Sequence, residues 1–200
     1  MFNTKAIIEF EIPTAEGMKL AKLRWPTDEE WAARSLKRKI IQKNIGRGQT
    51  QIESVDYSAV DLELLNTVAQ EGSAELDGYE AQMLLERISH AEVIDLERQG
   101  GQYKITLATA AGDTAHMLKV PSAREIMEHR RSFARVVDLP YGRQQIIVNL
   151  PAAGSTYDKL WDAAEGYTGS VPLVHKSAVV RAAIDAVESS TGDDSRVNFL

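Results

Sequence analysis

Two stretches of sequence 95 positions apart decide the fold, RWPTDEEW at residues 24–31 and KVPSAREI at residues 119–126. Each has a proline followed by a hydroxyl residue, and a glutamate three positions after the hydroxyl: Thr27 with Glu30, and Ser122 with Glu125. This spacing is typical of a capping box, in which hydroxyl and carboxylate bind backbone N–H groups that the first helical turn leaves unpaired. The sequence therefore predicts a helix start at corresponding places in two halves.

The correspondence extends outward from these stretches over nearly the whole chain. At an offset of 95 positions the matching residues include Gly17 with Gly112, Leu23 with Leu118 and Pro26 with Pro121. After a shift of one residue the matches continue as Leu84 with Val180 and Ile88 with Ile184. A match sustained across two units indicates a tandem duplication.

Each unit is predicted to have the element order β-β-α-β-α-α. Ile8, Phe10 and Ile12 alternate with glutamates, the pattern of a half-buried strand, and residues 103–107 repeat that pattern. The first helices are expected to run to about Asn44 and Asp138, and short strands are expected at 49–54 and 144–150. Ser58 and Ser155 are predicted to start the second helices, and 79–96 and 174–187 to form the third.

The predicted fold class is α+β, with approximate two-fold symmetry between the copies and with their strands joined or packed together. We expect a first repeat at 1–98, a short linker at 99–102, a second repeat at 103–190 and a frayed tail at 191–200. A linker of four residues is too short to hold two widely separated domains. The two repeats are therefore expected to form one compact body.

Composition excludes several classes of protein. Hydrophobic residues make up 44% and charged residues 26% of the 200 residues, which is too apolar for a disordered chain. The absence of cysteine excludes a disulfide scaffold, a thiol nucleophile and thiolate metal sites. No apolar stretch approaches the roughly 20 residues of a membrane span, and no secretion signal is recognised, so a cytoplasmic location without membrane contact is expected.

The net charge of −6 conceals two segments of opposite charge. Residues 32–50 carry +6, whereas residues 51–100 carry −10. By the repeat register, Arg34 and Arg38 face the side of their helix that the second copy buries, so they must be paired, extended toward solvent or at an interface. The basic residues that form the candidate binding set are Arg34, Lys37, Arg38, Lys39, Lys43, Arg47, Arg130, Arg131, Arg135 and Arg143.

Two interpretations of this basic set are open. It can dock against the acidic segment of its own chain or of a neighbouring subunit, or it can bind the phosphates of a nucleic acid. The first is favoured because the whole chain is acidic, whereas nucleic-acid-binding domains usually have a pI above about 9. Tyr141 and Tyr167 lie in predicted loops and are candidates for contact with a partner.

No reaction centre emerges from the sequence. The four histidines, His90, His116, His129 and His175, have no spacing that places two ligands on one helix face, so neither a metal nor a cofactor is expected. Residues 153–156, Ala-Gly-Ser-Thr, are interpreted as a loop entering a helix cap rather than a nucleophile elbow. A site formed between the repeats stays open, because such convergence is spatial.

The leading hypothesis is therefore a non-catalytic structural, assembly or adaptor protein that binds protein partners or itself, with a bacterial or prophage-encoded complex as a suggested setting. Duplication, charge segregation and the lack of a catalytic motif motivate it. The alternative is a nucleic-acid-binding protein that uses the basic helix of each repeat.

Overall fold

The computed structural model describes residues 7–14, 17–38, 40–46, 49–53, 58–166 and 171–190. In this part of the chain the fold is α+β, with six α-helices and three antiparallel sheets. The strands are β1 Ile7–Thr14, β2 Gly17–Arg24, β3 Ile40–Gly46, β4 Gln49–Glu53, β5 Ala91–Gln99, β6 Gln102–Thr109, β7 Gly112–Lys119, β8 Ala134–Leu139, β9 Arg143–Val148 and β10 Trp161–Ala164. The helices are α1 Asp28–Lys37, α2 Ser58–Val68, α3 Gly78–Ser89, α4 Ala123–Phe133, α5 Leu150–Leu160 and α6 Leu173–Ser190.

The first half folds around the β1–β2 hairpin. Its alternation of apolar and charged residues places Phe10 and Ile12 in the core and leaves Glu9 and Glu11 outside, as predicted. Helices α2 and α3 cover the apolar face of the hairpin. The buried residues of this core include Leu23, Trp25, Trp31, Leu64, Leu65, Val68, Leu84, Leu85 and Ile88.

The second half has its own core against the sheet β10-β7-β6-β5. The buried residues of this core include Tyr103, Ile105, Leu107, Leu118, Ile126, Tyr157, Leu160, Val179 and Val180. Strand β5 corrects two predictions, because residues 91–96 were expected to continue the preceding helix and residues 99–102 to form a linker. The β-branched pair Val93 and Ile94 favours a strand, and residues 99–102 form the turn of the β5–β6 hairpin, with Gly100 at φ 63°.

Both predicted capping boxes are confirmed. The Thr27 hydroxyl accepts from the Glu30 backbone N–H, the Glu30 carboxylate accepts from the Thr27 N–H, and Ser122 and Glu125 make the same two contacts. A third capping box, formed by Asp77 at the start of α3, was not predicted. These contacts fix where three of the helices begin.

The first helix of each half is shorter than predicted. Helix α1 ends at Lys37 and α4 at Phe133, and the residues expected to complete them form β3 and β8. Neighbouring β-branched side chains, Ile40 with Ile41 and Val136 with Val137, favour an extended backbone there. Each half therefore has a second hairpin. The element order is β-β-α-β-β-α-α in the first half, and the second half adds β10 between its last two helices, so neither half has the predicted order β-β-α-β-α-α.

The second hairpins of the two halves share one sheet, in the order β4-β3-β9-β8. All three neighbouring pairs are antiparallel, and β3 joins β9 with Ile40 opposite Ile146 and Lys43 opposite Arg143. Each strand of the second hairpin therefore runs in the same direction as the corresponding strand of the first hairpin and lies two strand positions further along the sheet. A two-fold axis between them would exchange β3 with β9, so the predicted two-fold relation is wrong for this sheet, whereas the expected joining of strands is observed.

Helix α5 begins earlier than predicted. It starts at Leu150, with Pro151 in the first turn where no N–H is needed, rather than at Ser155. Residues 153–156, interpreted from sequence as a loop, are therefore helical. Gly154 lets α5 approach α6 closely, because a Cβ at this position would lie 2.6 Å from Leu173 Cδ1.

Gly154→Ala is expected to destabilise the protein by roughly 1 kcal/mol, measured by urea unfolding. Alanine normally stabilises a helix interior relative to glycine by about 1 kcal/mol, but overpacking against the buried Leu173 costs about 1–3 kcal/mol. Gly101→Ala is the matched control, since no heavy atom lies within 4 Å of its added Cβ. Unchanged or increased stability of Gly154→Ala would show that α5 and α6 separate without cost.

The start of α6 connects the two halves. The Asp28 carboxylate of α1 accepts a hydrogen bond of 3.0 Å from the Leu173 backbone N–H. The Leu173 side chain is buried in the first core, although its helix contributes mainly to the second. This contact and the β3–β9 pairing place the halves against each other.

Candidate functional site

Arg34 lies in the interior rather than on a binding surface. Its Nε donates to Asp61 Oδ1 at 2.7 Å and its Nη2 to Asp61 Oδ2 at 3.2 Å. Arg34 is 7% exposed and Asp61 is fully buried, and the guanidinium lies 5.3 Å from the Trp31 ring centroid. Burial lowers the pKa of Arg34, and the hydrogen bonds to Asp61 oppose this effect. Of the three expected arrangements, paired, extended toward solvent or at an interface, Arg34 has the first.

Other members of the basic set also bind carboxylates of the same chain. Lys37 pairs with Glu63 on α2, and Arg38 pairs with Glu86 on α3 at 3.2 Å. The acidic partners of Arg34, Lys37 and Arg38 all come from the acidic segment 51–100. The geometry therefore agrees with docking of the basic helix on the chain's own acidic segment.

The basic residues of the second half are more dispersed. Arg130 pairs with Glu188 on α6, and Arg143 reaches from β9 to Glu53 on β4, at 2.7 Å. Lys43, Arg131 and Arg135 are exposed on β3, α4 and β8. Lys39 and Arg47 lie outside the described residues. The described members therefore occupy several surfaces and do not converge on one anion site.

Of the two candidate loop tyrosines, the structure describes one. Tyr141 occupies the turn of residues 140–142 between β8 and β9, where it is 92% exposed and has φ 64°. Among the described residues it is the single non-glycine with positive φ, a conformation that is uncommon for a bulky side chain. Tyr167 lies outside the described residues. Tyr141 is thus presented to solvent at the tip of the shared sheet.

A cavity of about 350 Å³ lies between the two halves. It is lined by Trp31 and Arg34 of α1, by Arg38 directly after this helix, and by Val148, Val174 and Ser177 of the second half. The charges of both arginines are met by Asp61 and Glu86, so the cavity offers no unbalanced cation for an anionic substrate. Its neighbouring Ser35 hydroxyl donates to the Ala32 carbonyl at 2.8 Å, without a base to activate it.

A wider groove of about 600 Å³ runs between α1, α5 and α6. Its charged residues already hold the helices: Asp28 accepts from the Leu173 N–H, and Lys176 pairs with Asp158 at 2.7 Å. The contacts of Asp28, Asp158 and Lys176 thus hold α1, α5 and α6 together.

Two histidines that sequence reasoning left unassigned meet in the interior. His116 Nδ1 lies 2.9 Å from the Tyr157 hydroxyl, and its Nε2 lies 3.1 Å from Thr114 Oγ1. His175 is fully buried and contacts the edge of Trp25, with ring centroids 5.9 Å apart. Burial lowers the pKa of His116 to about 4, and burial together with the nearby His116 lowers that of His175 to about 4.

This histidine cluster is suited to packing rather than proton transfer. A group with a pKa near 4 is a weak base at neutral pH, and both rings are removed from solvent. The strand alternation of Thr114, His116 and Leu118 was the available signal, because it places His116 on the buried face of β7. Within the described residues no three His, Asp or Glu side chains are placed to hold a metal ion.

The shared sheet is the feature least explained by packing. Of the side chains that the structure describes in β3, β4, β8 and β9, only Ile146 is buried. Polar side chains form a ladder across three strands, since Gln42 donates to Gln144 at 3.0 Å and Gln144 donates to Asp138 at 2.9 Å. Ile52 and Val136 are 56% and 48% exposed on its two outer strands. This sheet is our candidate interaction surface.

No family model, curated protein or solved structure matches the chain. None of the helices in the described part of the chain is both long and apolar enough to cross a membrane. The assignment of function therefore depends on the geometry alone.

Proposed function

We propose that this chain is a non-catalytic structural or assembly protein that presents the shared sheet β4-β3-β9-β8 to protein partners. The observation that carries the proposal is the near absence of burial in a four-stranded sheet. Sheets usually gain stability by packing one face on a core. A sheet with one buried side chain among those described is better suited to contact another molecule.

The second part of the proposal is that the chain is a tandem duplication folded as one body. Strands β6 and β7 have the bounds of β1 and β2 shifted by 95 positions, and each residue pair shifts equally, so that Ile7 opposite Arg24 becomes Gln102 opposite Lys119. The two turns share a hydrogen bond from a threonine hydroxyl to the glycine carbonyl three positions on. The capping boxes are also 95 positions apart.

An internal polar contact supports the same relation. Arg34 of α1 binds Asp61 of α2, and His129 of α4 lies 3.0 Å from Thr156 of α5, with 27 positions separating the partners in both cases. A charged pair in one half thus corresponds to a neutral pair in the other. The halves have kept the position of the contact while changing its chemistry.

Nucleic-acid binding has less support. Phosphate binding requires cations that are available to the ligand, whereas Arg34, Lys37 and Arg38 are engaged with carboxylates of the same chain. The cytoplasmic location and the lack of catalysis stay predictions.

The proposal is tested by photo-crosslinking in extracts of the producing cell. A photoreactive residue at position 52, on β4, is expected to give a protein crosslink that excess unlabelled protein suppresses. Position 79 on α3 is the matched control, because Tyr79 is 67% exposed and lies on a helix outside the shared sheet. No saturable product at position 52, or equal products at both positions, would overturn the proposal.

A further inference from the structure

We infer that the shared sheet continues into a second copy of this chain, with β8 of one molecule antiparallel to β4 of the next. The inference depends on the proposed function and names the partner of the same surface. It follows from how the two hairpins are joined within one chain.

The internal junction is head-to-tail. The hairpins β4-β3 and β9-β8 have the same direction, and they meet through β3 of the first and β9 of the second. In the repeat, β8 corresponds to β3 and β4 corresponds to β9. The junction therefore uses two different edges, and the equivalent edges, β8 and β4, are the outer strands of the sheet.

When two copies join through different edges, each copy keeps one unused edge, so the same contact can be repeated. Heterologous contacts generate rings when their rotation closes and open chains when it does not. An isologous dimer would instead pair β4 with β4 or β8 with β8. The β3–β9 pairing inside the chain thus specifies which strands meet in the contact between chains and that they are antiparallel.

The two outer edges have few of the residues that normally prevent strand addition: Glu53 is the charged residue of β4, and Arg135 and Asp138 are those of β8. Neither β4, QTQIE, nor β8, ARVVDL, contains lysine or proline, and each exposes one large aliphatic residue, Ile52 and Val136. Among the described residues each of these strands is paired on one side only.

The outer strands of the other two sheets are protected. Strand β1 contains Pro13 and two glutamates, and β5 contains Glu92, Asp95 and Glu97 with an irregular register near Ile94. Strand β10 has four residues and its own register shift. Charge, proline, bulges and short length are the usual means by which proteins block edge pairing. Strand β4 also has a register shift in its pairing with β3, between Asn44 and Gly46, so the choice of β4 and β8 depends mainly on the β3–β9 junction inside the chain.

The test uses purified full-length protein and three lysine variants at exposed positions. Ile52→Lys blocks β4, Val136→Lys blocks β8, and Ile94→Lys on β5 is the matched control. Sedimentation velocity and native mass spectrometry report the size of the oligomers. Wild type and Ile94→Lys are expected to form species larger than dimers, whereas Ile52→Lys and Val136→Lys each associate at least tenfold more weakly.

Mixing the two blocked variants gives the decisive measurement. Ile52→Lys retains an open β8 and Val136→Lys an open β4, so the mixture is expected to form a one-to-one heterodimer and nothing larger. Urea unfolding of each variant confirms that it folds. A monomeric wild type, a mixture that stays monomeric, or a homodimer of either variant alone would overturn the inference. A monomeric wild type that still gives a saturable crosslink to another protein from position 52 would leave the proposed function in place.

Discussion

Replacing Asp61 with alanine is expected to lower the free energy of unfolding by about 3 to 5 kcal/mol, the usual cost of breaking a buried ion pair. The Arg34 guanidinium is 7% exposed and has both of its described hydrogen bonds to Asp61. Without the carboxylate, a positive charge is left in the interior between α1 and α2. Urea unfolding at neutral pH measures the loss, with the slope of the transition as a check that the unfolding stays two-state.

The matched control lies on the same two helices. Glu63→Ala removes the partner of Lys37, but both side chains of that pair are at least half exposed, so we expect a loss below about 1 kcal/mol. The double variant Arg34→Met with Asp61→Leu replaces the buried pair by apolar groups and is expected to regain most of the loss. Equal small losses for Asp61→Ala and Glu63→Ala would contradict the buried character of the Arg34–Asp61 pair.

This pair also shows what the sequence predicts well. The repeat register placed Arg34 on a face that the other half buries, and the cost of an isolated buried charge required it to be paired, extended toward solvent or at an interface. The capping boxes were equally predictable, because a hydroxyl and a carboxylate three positions apart act within one helical turn. Predictions of this kind depend on contacts or costs that are local in sequence.

The second hairpins, β3–β4 and β8–β9, could not be predicted from contacts that are local in sequence. Residues 40–46 and 134–139 have apolar residues that fit a continued helix face. Each pairs with the strand that follows it, but the pairing that joins the two hairpins, β3 with β9, is between segments far apart in the chain. Ile40 is opposite Ile146, more than one hundred positions away. The choice between helix and strand was thus made by tertiary pairing, which a single segment does not reveal. The Gln42–Gln144 contact of the candidate surface was hidden for the same reason.

The histidine cluster has a consequence for stability that no sequence spacing suggested. Acidification from pH 6.5 to pH 4 is expected to lower the free energy of unfolding by on the order of 3 kcal/mol for each of His116 and His175. Their pKa values are about 4 in the folded protein and 6.5 in an unfolded chain. Within this window the unfolded chain binds protons that the folded protein does not. Stability therefore rises with pH through the window and levels off above it.

Urea unfolding at several pH values between 7 and 4.5 measures this dependence, and its slope gives the number of protons taken up on unfolding. His175→Phe keeps an aromatic ring against Trp25 and is expected to reduce the slope by up to one proton, whatever it does to stability at pH 7. His129, whose pKa burial also lowers, adds a further contribution in the same direction. His90→Gln is the control at an exposed histidine.

The pH range in which stability is lost distinguishes buried histidines from ion-paired carboxylates as the source of acid sensitivity. The lowered pKa values of Glu30 and Glu125 belong to carboxylates, whose ordinary pKa is 4.5, so their stabilisation is lost mainly below that pH. Loss of stability that begins already below pH 6.5 must come from buried neutral bases. Because His175 belongs to α6 of the second half and contacts Trp25 of the first core, protonation there opposes the packing of the halves on each other. A stability that stays constant from pH 7 to pH 5 would show that both rings are hydrated in the folded protein.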